Sequence, residues 1–444
     1  MAIELQEIQS LDQLKAQMKK HEVGILIFKR LSPNDNSKNQ IYLGGDFTVL
    51  QRIPFGKITT DYSRKDSKRD RFKAELDFHW LDGTGELHNA PNAQLILYPK
   101  YPEVRMSGFL KGAKKAPSSQ LNCRDRGRIL FLGITKNRKL IGHVISVDNP
   151  VSQRLEKWND DKIFNIVFDE PSHQSSRREL LERLNVICGM GWISSQKLNK
   201  EGVSIPYRAQ NGGGYTLEAL FGITPNGENE PDFKGWELKQ HSNKLRSPIL
   251  GGAVTLMTPE PNGGLYKTRG VREFVKTFGY PDTKGKANRM NFGGVHKVGI
   301  VQSRTGLTLA LKGYDEGSGK IMDIDGGLVL LSEDGTEAAE WRFDSLLAKW
   351  NRKHERAVYI SSDKQKGGES GIQYRYGKTV ALCTGTDFNL LLKSLASQAV
   401  YYDPAIKLEN IGAANETDKR RNQFRVKPKD IPQLYHKLEL VELG

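Results

Sequence analysis

The texture of the sequence changes once along the chain, and the change divides what it can fold into. From Val23 to Phe168, short β-rich runs follow at close intervals: VGILIF, IYL, FTVL, AELDFHWL, AQLILYP, VRMSGFL, RILFLGI and KIFNIVF. Turn segments such as SPNDNS, DGTG and APN part them, a pattern that predicts a β-sandwich or barrel of about 150 residues. Ahead of these runs, Leu5, Ile8, Leu11, Leu14 and Met18 recur at helical spacing and predict a short amphipathic helix over 4–20. Beyond Pro171 the order becomes mixed. The segment PSHQSSRRELLERLNVICG sets Ser175 or Ser176 before a helix over 177–188, with Leu180, Leu181, Leu184 and Ile187 as one apolar stripe. A Gly-rich loop NGGGYT, a helix start TLEALFGI and a strand GWELKQHS come next, then helices in VREFVKTFG, DSLLAKWNRKH and DFNLLLKSLASQ. The expected architecture is therefore multidomain: an all-β domain over 1–170 and an α/β domain over 171–444.

Charge narrows the class of partner. The 67 Lys and Arg against 52 Asp and Glu leave a formal +15, an excess that favours a polyanion, with nucleic acid as the leading candidate. No apolar run is long enough for a bilayer span, and MAIELQEIQSLDQLKAQMKK lacks the apolar core of a signal peptide, so no membrane association and a cytoplasmic location are expected. Cys123, Cys188 and Cys383 lie far apart with no CxxC pair, which indicates neither a disulfide framework nor a cysteine zinc site.

The chemistry concentrates in GENEPDFKGWELKQHS. Asp232 lies in a Pro-containing approach to a strand, and period-two geometry puts Glu237 and Lys239 on one face of it. This is a PD-(D/E)xK pattern. Two converging carboxylates call for a cation, and hard oxygen ligands with room for water suit Mg²⁺, with Mn²⁺ as a substitute. Such an ion polarises a phosphate and activates water while a lysine offsets the developing charge, so phosphodiester hydrolysis is the expected reaction. The acid-x-Lys triplet alone is weak, because Asp66-x-Lys68, Asp232-x-Lys234 and Asp282-x-Lys284 also occur. Taken alone, Glu237 and Lys239 also fit a salt-bridged strand face.

The surroundings decide between these. The region from about 175 to 444 resembles the MvaI/BcnI family of restriction endonucleases, through GGGYTLEALFGI, NEPDFKGWELKQH, AVTLMTPEPN, WRFDSLLAKW and NQFRVK in the same order. The resemblance implies a restriction-endonuclease-like α/β fold and a monomer that cuts the two strands of double-stranded DNA in succession at a short site of the CCWGG or CCSGG kind. It implies metal binding by Asp232 and Glu237, a catalytic Lys239, and a further acid at Glu218, which also suits a plain helix-surface carboxylate. His241, two residues after Lys239, fits a structural role better than a catalytic one. In the run ETDKRRNQFRVKPK, Lys419, Arg420, Arg421, Arg425 and Lys427 surround Phe424. The matching family segment carries base-reading side chains, and Arg425 matches a family arginine suited to guanine. The histidines that precede it in the family are not preserved, Asp418 and Arg420 standing there instead, so cleavage chemistry transfers better than the recognition sequence.

In the first domain, ILIFKRLSPNDNSKNQIYLGGDF resembles the effector-binding domain of EcoRII-type enzymes, a pseudobarrel related to plant B3 DNA-binding domains. The resemblance implies DNA contacts from Lys29, Arg30, Ser32 and Asn34, although a strand-turn-strand of no special function also fits. A second basic patch, SRKDSKRDRFK, fits a clamp on DNA backbone through Lys68 and Arg69 and equally a solvated loop, since Asp66 and Asp70 are interleaved. The combination suggests one domain binding a DNA copy while the other cuts, in a bacterial defence system with a cognate methyltransferase acting on the same site. Two alternatives stay open: a nuclease triggered by modified DNA or a partner protein, and a noncatalytic DNA-binding regulator.

Overall fold

The computed structural model describes residues 5–33, 40–64, 69–155, 163–170, 173–225, 231–244, 247–369 and 371–444. Two compact units emerge, Met1–Arg177 and Arg178–Gly444, so the divide falls within the helix His173–Gly189. Among the described residues no helix is long and apolar enough to cross a membrane.

The first unit is built on two sheets. One is six-stranded, in the order Asn165–Asp169, Val23–Arg30, Ile129–Thr135, Leu140–Ile145, Phe78–Leu81 and Leu87–Asn89. Its pairs are antiparallel except Leu140–Ile145 with Phe78–Leu81, which run parallel. The other is five-stranded and antiparallel, in the order Ile41–Gly44, Glu103–Ser107, Gln94–Tyr98, Arg71–Glu75 and Ile58–Asp61. Among the described residues neither sheet closes on itself, so the closed form of the expected barrel is not found.

Two local expectations fail for identifiable reasons. The first helix spans Leu11–Lys20 only, with Ser10 extended at its N-cap. Leu5 and Ile8 are buried without being helical, because polar partners hold the segment before it. His143 accepts from the Ile8 amide at 3.1 Å, and the Glu7 carboxylate takes bonds from Ser146 and Asn149. The run FTVL is not a strand but carries a 3₁₀ turn at Thr48–Gln51. Asp46 accepts from the Thr48 amide at 2.9 Å and bends the chain there.

The second unit centres on a mixed sheet in the order Ile193–Ser194, Ile372–Thr384, Arg356–Lys366 and Glu237–Ser242, with Lys437–Glu442 also pairing Ile372–Thr384. Glu237–Ser242 runs parallel to Arg356–Lys366, with Glu237 opposite Ala357 and Lys239 opposite Tyr359. The expected stripe of the helix His173–Gly189 packs here: Leu180, Leu184 and Ile187 are buried with Trp236, Leu238, Val358, Ile360 and Tyr376, and Leu181 is partly buried against them. A smaller antiparallel sheet joins Val254–Met257, Phe424–Val426 and Val400–Tyr402. Phe424, the aromatic inside the basic C-terminal run, is fully buried beside Trp341 and Tyr402, so the Phe424–Val426 part of this run is a structural strand.

The glycines of NGGGYT correct a third expectation, since they form the first turn of the helix Gly212–Leu220 rather than a flexible loop. A Cβ at Gly212 would collide with the Ser195 hydroxyl, and one at Gly213 would stand 2.8 Å from the Gln240 amide. Close approach, not conformational freedom, requires glycine at these two positions.

Candidate active site

Asp232 reaches the strand through a tight turn. Phe233 and Trp236 exchange backbone hydrogen bonds at 2.9 and 2.8 Å, while Lys234 and Gly235 take left-handed φ of 45° and 82°, the sign that two-residue hairpin turns require. Gly235 also lies against the Arg356 guanidinium, which a Cβ would displace. Lys234 pairs with Glu179 and so ties the turn to the helix His173–Gly189. The chain thereby folds back until Asp232 Oδ2 accepts from the Leu238 amide at 2.9 Å. Strand alternation does the rest: Leu238 enters the apolar core, while Glu237 and Lys239 face the other way and pair at 2.7 Å.

Glu237 is 3% exposed. Its Oε1 takes the Lys239 ammonium and lies 3.5 Å from that of Lys353, while its Oε2 is buried with no hydrogen-bond partner. Lys239 also donates to the Leu256 carbonyl at 3.1 Å. The same carbonyl lies 3.1 Å from Nε2 of His354, which is buried and stacked on Trp350.

Electrostatics separates the three acids. Burial would raise the Glu237 carboxyl, but the charges of Lys239 and Lys353 hold it below the ordinary carboxylate range. Asp232 is pushed up to about 6 by burial and by the charge of Glu237. Glu218, on the helix Gly212–Leu220, rises to about 7 through burial and the charge of Asp232. Burial and nearby Lys239 lower His354 to about 4, so this imidazole is neutral. Acids that cling to protons beside a buried carboxylate oxygen with no donor form a site short of positive charge. That fits a hard divalent cation held by one or two carboxylates and water.

Glu218, Asp232, Glu237 and Lys239 line a cleft of about 760 Å³ together with Tyr215, Thr255, Lys353, Arg421, Gln423 and Arg425. The structure thus gathers Glu218, Asp232, Glu237 and Lys239 with two of the five basic residues singled out in the C-terminal run. Arg425 sits opposite Thr255 in the small sheet, and its guanidinium is already engaged, by Asp403 at 2.6 Å and the Ala253 carbonyl at 2.7 Å. Arg421 is exposed in the same cleft. Lys419 and Arg420 lie outside the lining and pair with Glu409 and Asp418. His241 also lines the cleft, its Nε2 lying 3.3 and 3.1 Å from the Ser247 and Leu250 carbonyls.

In the first unit, Lys29, next to last in the strand Val23–Arg30, lies over the ring of Tyr42, and burial lowers its pKa. Arg30 donates to the Leu155 carbonyl at 2.6 Å. The carbonyl of Ser32 accepts from Arg128, itself buried, at 3.0 Å. Arg69 is exposed, and Asn34 and Lys68 lie outside the described residues.

Among the described residues, one group of three acidic or His side chains brings its ligand atoms within 4.8 Å of one another, and it is Asp82, Glu86 and His88, in the first unit. Asp82 is occupied there by the amides of Thr84 and Glu86 and by His88 Nε2, which makes the group a turn lock.

Lys353, Thr255, Gln423 and His354 escaped the sequence reading. Lys353 had one available signal, its place at the end of the helix that begins in WRFDSLLAKW; for the others spacing gave none.

A sequence profile of the MvaI/BcnI restriction endonuclease family matches residues 181–435. Among solved structures, restriction endonuclease MvaI in complex with cognate DNA is similar at a TM-score of 0.45 and 16% identity, covering 61% of this chain and 99% of that one. Restriction endonuclease MvaI without DNA is similar at 0.33 and 13% identity, with coverage of 61% and 99%. Comparison with curated proteins finds no match.

Proposed function

The chain belongs to the MvaI/BcnI restriction endonuclease family, which makes it a type II site-specific deoxyribonuclease, and from that premise we propose that the cleft around Glu237 hydrolyses DNA phosphodiesters with Mg²⁺ at a site of the CCWGG or CCSGG kind. The observation that carries the reading is the partnerless Oε2 of Glu237, buried beside Lys239 and facing the cleft that Asp232 also lines. Asp232 and Glu237 would hold the cation. When bound, it supplies Lewis-acid polarisation of the scissile phosphate and activation of water. Lys239, fixed by Glu237 and the Leu256 carbonyl, orients the attacking water and offsets charge on the pentacovalent phosphate. Glu218, with a pKa near 7, exchanges a proton close to working pH.

In the same reading, the enzyme acts as a cytoplasmic monomer beside a methyltransferase for the same site. The first unit is an open pseudobarrel of the B3 type that takes up a second DNA copy through Lys29, Arg30, Ser32, Asn34, Lys68 and Arg69. Supercoiled plasmids carrying CCWGG and CCSGG provide the test. Wild type should nick and then linearise them in Mg²⁺ and not in EDTA, whereas Asp232→Ala and Glu237→Ala should bind DNA without cutting it. Cutting by either variant at the wild-type rate would place the chemistry elsewhere. Stimulation of a single-site plasmid by short cognate duplexes tests the second copy.

A further inference from the structure

Two ammonium groups reach Glu237, and the chemistry above uses one of them. Lys239 sits on Oε1 at hydrogen-bond distance, 2.7 Å, whereas Lys353 stands off at 3.5 Å, outside the range of a good N–H···O bond. Lys353 closes the helix Phe343–Lys353 and lines the cleft. Its side chain is 22% exposed against 3% for Glu237, so it keeps access to solvent that Glu237 lacks.

A lysine at a helix C-terminus is favoured by the macrodipole alone, and such a lysine ordinarily extends into water. Lys353 instead turns into the cleft, although Lys349, one turn earlier, is half-buried and has its own pKa lowered by burial and by the charge of Lys353. Like charges at that spacing oppose each other. The nearby anion, Glu237, already has Lys239 at hydrogen-bond distance, so Lys353 is the more loosely held of its two cations.

Charge balance indicates what Lys353 is for. Glu218, Asp232 and Glu237 share the cleft with Lys239 and Lys353, three carboxylates against two ammonium groups, while Arg425 there is already paired with Asp403 and Arg421 is exposed to solvent. A divalent cation would reverse that sign to one net positive charge, which a single phosphodiester neutralises. Without Lys353 the same phosphate would enter a site already neutral.

We propose that Lys353 is a second phosphate-binding cation of the active site, resting on Glu237 in the free protein and passing to a nonbridging backbone oxygen of DNA once Glu237 is engaged by a divalent cation. The proposal depends on the assignment of Asp232 and Glu237 as metal ligands, and the test separates the two. Binding of a fluorescent duplex carrying CCAGG and CCGGG is titrated against salt, in EDTA and in Ca²⁺, for wild type, Lys353→Met and Lys353→Arg. In Ca²⁺, Lys353→Met should lower the slope of log K against log salt by about 0.9, the value of one lost phosphate contact, and Lys353→Arg should restore it. In EDTA the three proteins should coincide. Without DNA, Mn²⁺ followed by electron paramagnetic resonance should bind Lys353→Met more tightly than wild type, because a competing cation is gone. An unchanged slope in Ca²⁺, or equal losses in EDTA and Ca²⁺, overturns the proposal. A wild type that binds no Mn²⁺ overturns the metal assignment itself, and Lys353 with it.

Discussion

Glu218 offers the most direct physical test of the cleft, because its protonation is linked to folding. Its carboxyl moves from 4.5 to about 7 on burial beside Asp232. Below the lower value the group is neutral in both states and contributes nothing to the balance. As pH rises through that interval, the unfolded chain releases a proton that the folded chain retains, so stability falls and then levels off above about 7. At about 1.36 kcal/mol per pH unit the loss reaches roughly 3 kcal/mol at pH 8. Glu218→Gln removes the titration, so in EDTA the variant should match wild type near pH 4.5 and melt higher at pH 8. At about 2–4 °C per kcal/mol for a unit of this size, and with part of the gain returned by an imperfectly bonded buried amide, the difference should be roughly 5 °C. Differential scanning calorimetry in EDTA across this range reads it. A constant offset between the two proteins at every pH would show that the Glu218 carboxyl titrates alike in the folded and unfolded states, and the electrostatic account of the cleft would fall with it.

Arg421→Ala should weaken DNA binding without shifting the melting temperature, whereas Arg425→Ala should lower both, since it strands Asp403 and the Ala253 carbonyl; fluorescence anisotropy and thermal melts of the two variants discriminate. Gly235→Ala should cost about 1–2 kcal/mol for its left-handed backbone and, by moving Asp232, reduce plasmid cleavage more than DNA binding. Leu184→Ala should destabilise the second unit by about 2–5 kcal/mol, because Leu184 is fully buried in the core behind Trp236 and Leu238, and urea unfolding of the full chain measures the shift in its transition.

How much of the site was legible follows from the range of each signal. Glu237 and Lys239 could be placed together because strand alternation is local and exact in sign: Leu238 went to the core and its neighbours to the cleft. The approach of Asp232 was harder, since it depends on left-handed backbone at Lys234 as well as Gly235, and a lysine gives no warning of that conformation. Gly212 to Gly214 misled for the opposite reason. Their low helix propensity points to a loop, but packing against Ser195 and Gln240 overrides propensity and rewards the missing side chains. Charge was the least readable signal. Arg425 and Arg421 look alike in a basic run, yet one is braced by Asp403 and the other faces the cleft. Lys353 looks like any solvated helix residue until the parallel pairing of Glu237–Ser242 with Arg356–Lys366 carries the end of its helix to Glu237. A sequence pattern therefore names the carboxylates that need a cation, while the excess positive charge that would receive a phosphate is assembled only by the tertiary fold.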